Sequence, residues 1–233
     1  MARTAPVDAP AVAAFDLDGT LTHGGSVVHW LTAVAGGHLV RRALLAPAGA
    51  LVAGAVRSGP PADAAKESLF RSVLAGRPLG DVDAVSASFA AEHLRRAVRP
   101  EVVTRLEAHL DCGHVVVVVS ASPALYVARI ADALGAHGAA ATQLEVGADG
   151  ALTGRYDGRN CRGEEKLRKV KALLGTLGAG STRPMYAYGN SRGDLNLLSA
   201  ADRPVDVSRL GPLGRLHRFP RLGAVPLGSR PAD

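Results

Sequence analysis

Two aspartates stand two residues apart in Phe15-Asp16-Leu17-Asp18-Gly19-Thr20-Leu21-Thr22, where an apolar run gives way to a turn. Carboxylates so placed suit a nucleophile or metal ligand with an acid–base partner beside it. The plain alternative is a surface Asp-Gly turn with a solvated neighbour. Further along, the valines Val115 to Val119 run into Ser120-Ala121-Ser122-Pro123. A hydroxyl and free amide groups at the end of a buried strand make a cradle for phosphate. Lys166 lies in Gly163-Glu164-Glu165-Lys166-Leu167, and Asn190 and Asp194 stand four residues apart in Tyr186-Ala187-Tyr188-Gly189-Asn190-Ser191-Arg192-Gly193-Asp194.

These groups need a frame. Val12, Ala13, Ala14, Phe15 and Leu17 read as a short buried strand, and side chains at i and i+2 of a strand share a side, so both acids leave the sheet together. Val115 to Val119 and Met185 to Tyr188 read as further buried strands. Lys166 comes early in a helix whose Leu167, Val170 and Leu174 keep helical spacing. Pro100 suits the first turn of a helix from Glu101 to Leu110. Ser122 is expected to cap a helix running from Pro123 to Gly135, with Val127, Ile130 and Leu134 on its inner face. Strands alternating with helices predict an α/β fold, a doubly wound Rossmann-like parallel sheet.

Residues from about 22 to 98 show no strand-like run. They hold helical stretches at Ala64 to Leu74 and Val82 to Val98, parted by the turn Gly76-Arg77-Pro78-Leu79-Gly80. The expected organisation is therefore an α/β core over 1–21 and 99–233, with a helical cap over 22–98 inserted after the first strand. Gln143 to Val146 and Ala151 to Gly154 read as a small hairpin. The Gly-, Pro- and Arg-rich tail after Asp206 reads as irregular.

With 233 residues, 47% hydrophobic and 21% charged, the chain is long enough to bury a sizeable core. Its net charge of +6 comes from scattered basic residues with only 4% aromatics, which argues against nucleic acid as a partner and suits phosphorylated substrates. Cys112 and Cys161 lie in unrelated contexts, as in a reducing compartment, and offer no metal spacing. No secretory signal precedes Val12, so the expected location is the cytoplasm. The apolar stretch Ala43 to Val56, about 14 residues with Pro47 inside it, is too short to span a bilayer. It reads as a packed cap helix, with a peripheral contact at the inner membrane face as the alternative.

Taken in this order, D-x-D-G-T, a strand-ending Ser, a Lys and G-N-x-x-x-D resemble the haloacid dehalogenase superfamily of phosphohydrolases, from about Val12 to about Asp206. The long insert after the first motif is similar to that of the phosphoserine-phosphatase-like subfamily, which carries an α-helical cap. Asp16 to Thr22, Asn160 to Lys166 and Tyr186 to Ser191 resemble more specifically a bacterial branch that includes C-type phosphatidylglycerophosphate phosphatases. The resemblance implies that Asp16 is the nucleophile that forms an aspartyl phosphate. Asp18 would be the general acid and then base, and Lys166 would neutralise the transferring group. Gly19, Thr20, Ser120 and Ala121 would bind the phosphoryl group with Lys166. Mg²⁺ would be held by Asp16, the backbone carbonyl of Asp18, Asn190 and Asp194, the last directly or from just behind.

The chain departs from this pattern in ways that bear on metal and substrate. Asn190 stands where an acidic metal ligand is common, and a neutral amide oxygen leaves the site one negative charge short. Phosphoserine phosphatases usually carry a Glu some nine residues after the nucleophile, and here that position is Gly25. Phe70 occupies the position of their cap arginine. Arg71, Lys66 and His23 are the nearby groups left to replace it. The expected substrate is a small or lipid-linked phosphate ester. A non-catalytic binding or regulatory protein on the same scaffold is the reading from another class.

Overall fold

The computed structural model describes residues 11–45, 60–179, 183–208 and 219–224. Strand β1 (Val12–Asp16) is followed by helices α1 (Val27–Ala35), α2 (Gly37–Leu45), α3 (Pro60–Leu74) and α4 (Leu79–Ala97). Helix α5 (Pro100–Asp111) then leads to β2 (Val115–Pro123), α6 (Ala124–Ala133), β3 (Gly138–Thr142) and a hairpin of β4 (Leu144–Val146) with β5 (Leu152–Tyr156). Helix α7 (Glu164–Thr176), β6 (Met185–Gly189), α8 (Leu195–Ala200) and β7 (Arg203–Asp206) complete the chain's main elements. The five-stranded sheet has the order β3-β2-β1-β6-β7 and is parallel throughout.

Strand periodicity sorts the core. Ala13 and Phe15 of β1, with Val116 and Val118 of β2, face one apolar cluster that includes Val102 and Leu106 of α5 and Tyr126 and Ile130 of α6. Val12, Ala14, Val117 and Val119 face the other, with Val170 and Leu174 of α7 and Leu197 of α8. Helices thus cover both faces, as a parallel sheet requires. The chain turns in opposite directions from β1, toward β2 on one side and β6 on the other, so the crevice beyond the carboxyl ends of β1 and β6 is the topological switch point, where such sheets bind ligands.

Helices α1 to α4, the insert, lie in the chain between β1 and α5. Trp30 of α1 is fully buried, donates to Ser86 Oγ at 2.8 Å and packs edge-on to Phe70 of α3 and tilted against Tyr126 of α6. Arg129 of α6 pairs with Asp83 of α4 at 2.8 Å, a second tie between insert and core. Of the apolar segment Ala43 to Val56, Ala43–Leu45 end α2 and the rest lies outside the described residues. No helix among the described residues is long and apolar enough to cross a membrane.

Some expected boundaries move. Strand β1 ends at Asp16, so Asp18 sits in the following turn and not on the strand. Strand β2 runs on to Pro123, and Pro123 flanks α6 with no side-chain cap. Ser122 is therefore not a helix cap, because its hydroxyl is taken by Asp18. Among the described residues after Asp206, Arg221 bridges to Asp206 ahead of a short 3₁₀ turn at Leu222–Ala224.

Candidate functional site

Asp16 ends β1 on the face covered by α7, and Lys166, one turn into α7, lies on the helix face it shares with Val170 and Leu174. The meeting follows from the two periodicities, two along the strand and 3.6 around the helix. Lys166 Nζ lies 2.6 Å from Asp16 Oδ1 and also donates to Asp194 Oδ1. Asp194 Oδ2 accepts from Ser191 N at 2.9 Å, Ser191 Oγ at 2.8 Å and Asn190 N at 3.2 Å. Both oxygens of Asp194 are thus occupied, and the residue is fully buried. Gly189 permits this, since a Cβ there would fall 2.6 Å from Asp194 Cβ.

One ammonium between two buried carboxylates leaves the group with a net negative charge. Burial, then the charge of Asp194, pushes Asp16 up to about 7, against the opposing pull of Lys166. Burial alone would raise Asp194 as well, but Lys166 and the Ser191 donors outweigh it and hold Asp194 below the usual carboxylate range. Lys166 is held above its ordinary value because Asp16 and Asp194 overcome the cost of its burial.

Asp18 points to a different set of partners. Its Oδ1 accepts from Ser26 N at 2.7 Å and its Oδ2 from the Ser122 hydroxyl. Ser26 Oγ lies 3.3 Å from Ser122 Oγ and 2.7 Å from Tyr126 OH, all buried. Sequence reasoning missed this hydroxyl chain, since Ser26 and Ser122 are distant along the chain and carry no motif.

Thr20 is buried and donates to Asp16 Oδ2 at 2.9 Å, so its hydroxyl orients the carboxylate. Gly19 adopts φ +82°, in the left-handed region, and its carbonyl accepts from Arg99 Nη1 at 2.6 Å. Asn190 lies beside this turn, with Oδ1 3.4 Å from Thr20 Oγ1. Ser120 Oγ accepts from Ser122 N at 3.0 Å, which leaves its own proton to donate.

Asp16, Asp18, Ser120, Ala121, Lys166 and Asp194 line one pocket of about 130 Å³, with Lys66 of α3 and Asn160 on its wall. Gly19, Thr20 and Asn190 are not among the residues that line it, and Thr20 meets it through its hydrogen bond to Asp16. Past Asn160, Arg162 and Gly193 the pocket meets a groove of about 860 Å³ between α3 and the loop that leads into α7. The small pocket has room for a phosphoryl group, and the groove for what is attached to it. Of the three side chains left over for substrate recognition, only Lys66 reaches the pocket. Arg71 and His23 are exposed, and Phe70 is core.

The hard oxygens here suit a divalent cation such as Mg²⁺, and soft ligands are missing apart from a buried thiol, Cys161, that burial pushes up to about 11. Among the described residues no group of three or more His, Cys, Asp and Glu gathers as a metal cage.

Residues 13–199 match the haloacid dehalogenase-like hydrolase family. Protein CicA of Caulobacter vibrioides is 32% identical over 83% of this chain and 84% of its own length. Phosphoserine phosphatase SerB1 of Mycobacterium tuberculosis is 30% identical over 94% of this chain and 70% of its own. A solved structure from Bordetella pertussis Tohama I, of a protein with unknown function, superposes with a TM-score of 0.69 at 27% identity, covering 85% of this chain and 90% of that one. With the family match spanning most of its length and its aspartates, serine and lysine gathered at the switch point, the chain belongs to the haloacid dehalogenase-like hydrolases, among those that resemble phosphoserine phosphatases.

Proposed function

We propose that the chain is a Mg²⁺-dependent phosphomonoester hydrolase that works through an aspartyl phosphate on Asp16. The observation that carries this reading is the convergence of Asp16, Asp18, Ser120 and Lys166 on one small pocket at the sheet's switch point. In the first step a carboxylate oxygen of Asp16 attacks phosphorus as the ester P–O bond breaks, and Asp18 gives its proton to the departing oxygen. In the second, Asp18 takes a proton from water, the water oxygen attacks phosphorus, and the Asp16–phosphorus bond breaks to release phosphate. Ser120, the Ala121 N–H and Lys166 hold the equatorial oxygens throughout. Asp16, the Asp18 carbonyl and Asn190 would hold the cation, which neutralises phosphoryl charge when bound. Asp194, with both oxygens engaged, stands behind as the counter-charge of Lys166.

The substrate reading is a phosphorylated small molecule whose body occupies the groove, with the helical insert as the cap that closes over it. Phosphoserine is disfavoured, because Gly25 offers no side chain for its amine and Phe70 is buried between Trp30 and Tyr156. A lipid-linked ester belongs in the same test. Purified protein with Mg²⁺ is assayed against an aryl phosphate, a panel of phosphometabolites and phospholipid vesicles, alongside Asp16→Asn. Hydrolysis by the parent and none by the variant is expected, with a fluoroberyllate adduct on Asp16. Turnover by Asp16→Asn near the parental rate would overturn the mechanism.

A further inference from the structure

Lys66 differs from the other insert side chains near the site in what it touches. Its ammonium donates to the Ala121 carbonyl at 2.6 Å and lies 3.4 Å from Asn160 Oδ1. Both partners are neutral oxygens, and no carboxylate among the described residues comes within ion-pair distance of it. The Asn160 amide is fixed in the sense that presents its oxygen to this lysine: Nδ2 donates to Asp63 Oδ1 at 2.6 Å, and Thr142 Oγ1 lies 2.9 Å from Oδ1. Asp63 is thereby engaged by Asn160, with Arg162 at 4.0 Å. Burial drives the Lys66 ammonium down to about 8, and the fields of Asp18 and Asp63 do not make up the loss. A half-buried ammonium whose partners are two neutral oxygens and the face of Phe70, 5.5 Å from the ring centre, has no counter-charge in contact, and an anionic ligand supplies what it lacks.

The position of Lys66 says which part of the ligand that is. It is bonded to the Ala121 peptide group and lines the small pocket with Ser120 and Lys166, whereas the groove for the leaving group opens on the far side of Asn160 and Arg162. We propose that Lys66 is a second cation of the phosphoryl site, delivered by the insert, so that the transferring group is held between Lys166 of the core and Lys66 of the cap. This rests on the phosphohydrolase reading above. Phosphate binding and seating of α3 on the core become a single event.

Calorimetric titration with inorganic phosphate at pH 7 and saturating Mg²⁺ tests this without turnover. Lys66→Gln keeps a donor for the Ala121 carbonyl and removes the charge, and Lys66→Arg keeps the charge. The control is Lys171→Met, exposed on α7. Expected are phosphate binding at least tenfold weaker in Lys66→Gln, within a few-fold of the parent in Lys66→Arg, and unchanged in the control. Parental phosphate affinity in Lys66→Gln would overturn the inference, most clearly if KM rises only for substrates with long leaving groups. Absence of phosphate binding by the parent would overturn the phosphohydrolase reading and this inference with it.

Discussion

Asn190 lies against Gly19 so closely that a Cβ built on the glycine would fall 2.0 Å from Asn190 Nδ2. The turn that follows the nucleophile and the end of β6 are in this way fitted to each other. Gly19→Ala would add strain at a left-handed φ, about 1–3 kcal/mol, and drive the amide from its place. Turnover is expected to fall about a hundredfold, the order seen when positioning is lost by an ångström, with a higher half-saturating Mg²⁺ concentration. Asn190→Asp should lower that concentration by restoring a carboxylate, and Asn190→Leu should raise it. Superimposable Mg²⁺ titrations for parent, Asn190→Asp and Asn190→Leu would place Asn190 outside the metal site.

Asp18 is held by one backbone donor from the insert and one hydroxyl from β2. Asp18→Asn should lose far more rate on alkyl phosphates, which need a proton on the leaving oxygen, than on aryl phosphates. Ser122→Ala frees the carboxylate without removing it and should show the same pattern, weaker, at roughly tenfold. Rapid-quench measurement of aspartyl phosphate formation on both substrates decides it, and equal losses on both would remove Asp18 from the acid role.

Lys166→Met would leave Asp16 and Asp194 facing each other in a buried space with no cation. Breaking such a pair costs about 3–5 kcal/mol. Adding Asp194→Asn removes one of the stranded charges and should recover part of the loss in urea midpoint, with no return of turnover. A single variant as stable as the parent would mean that the carboxylates find protons or solvent that the burial denies them.

Behind β1 lies a second polar group in the core. His109 Nδ1 and His114 Nδ1 are 2.7 Å apart, His109 Nε2 is 2.7 Å from Tyr188 OH, and Tyr188 stacks on Phe15 at 4.2 Å. Burial, then His114 and Arg105, depress His109 from 6.5 to about 3. Between those values the unfolded chain binds the proton that the folded chain refuses, so His109 contributes stability above pH 6.5 that is lost as pH falls toward 3. The slope is on the order of 1 kcal/mol per pH unit. Urea midpoints from pH 7.5 to 4.5 should fall more steeply for the parent than for His109→Gln, and parallel curves would exclude this histidine as the source.

The strands that carry the chemistry were legible because their residues leave little choice. Five successive valines make a buried strand, and Lys166 with Val170 and Leu174 makes a helix face. Strand β3, Gly-Ala-Ala-Ala-Thr, gave no such signal, since alanine is a poor strand former, and β7 has only one fully apolar residue, Val205, among Arg203, Pro204 and Asp206. Helices α1 and α2 abut at Gly36 and Gly37, which reads as a loop. Ser122 before a proline looked like a helix cap, and nothing local could reveal that its hydroxyl donates instead to Asp18, over a hundred residues earlier. Lys66 was visible as one basic residue among several near Phe70. Only the fold shows that it enters the pocket.

The chain crosses between insert and core twice, and the two crossings are fastened to each other. Thr22 bridges to Val98, His23 N bonds Ala97 O at 2.7 Å, and Arg99 N bonds Leu21 O at 2.8 Å, with the Arg99 guanidinium tied to both the Gly19 and the Val207 carbonyls. A lobe mounted on one such ribbon has a fulcrum rather than a pair of independent tethers, and this fulcrum abuts Asp18. Any swing of the lobe would lift Lys66 from Ala121 and Ser26 from Asp18 in one stroke. The open enzyme would then be disarmed as well as accessible, and stray water arriving before a substrate would meet an acid without its holder.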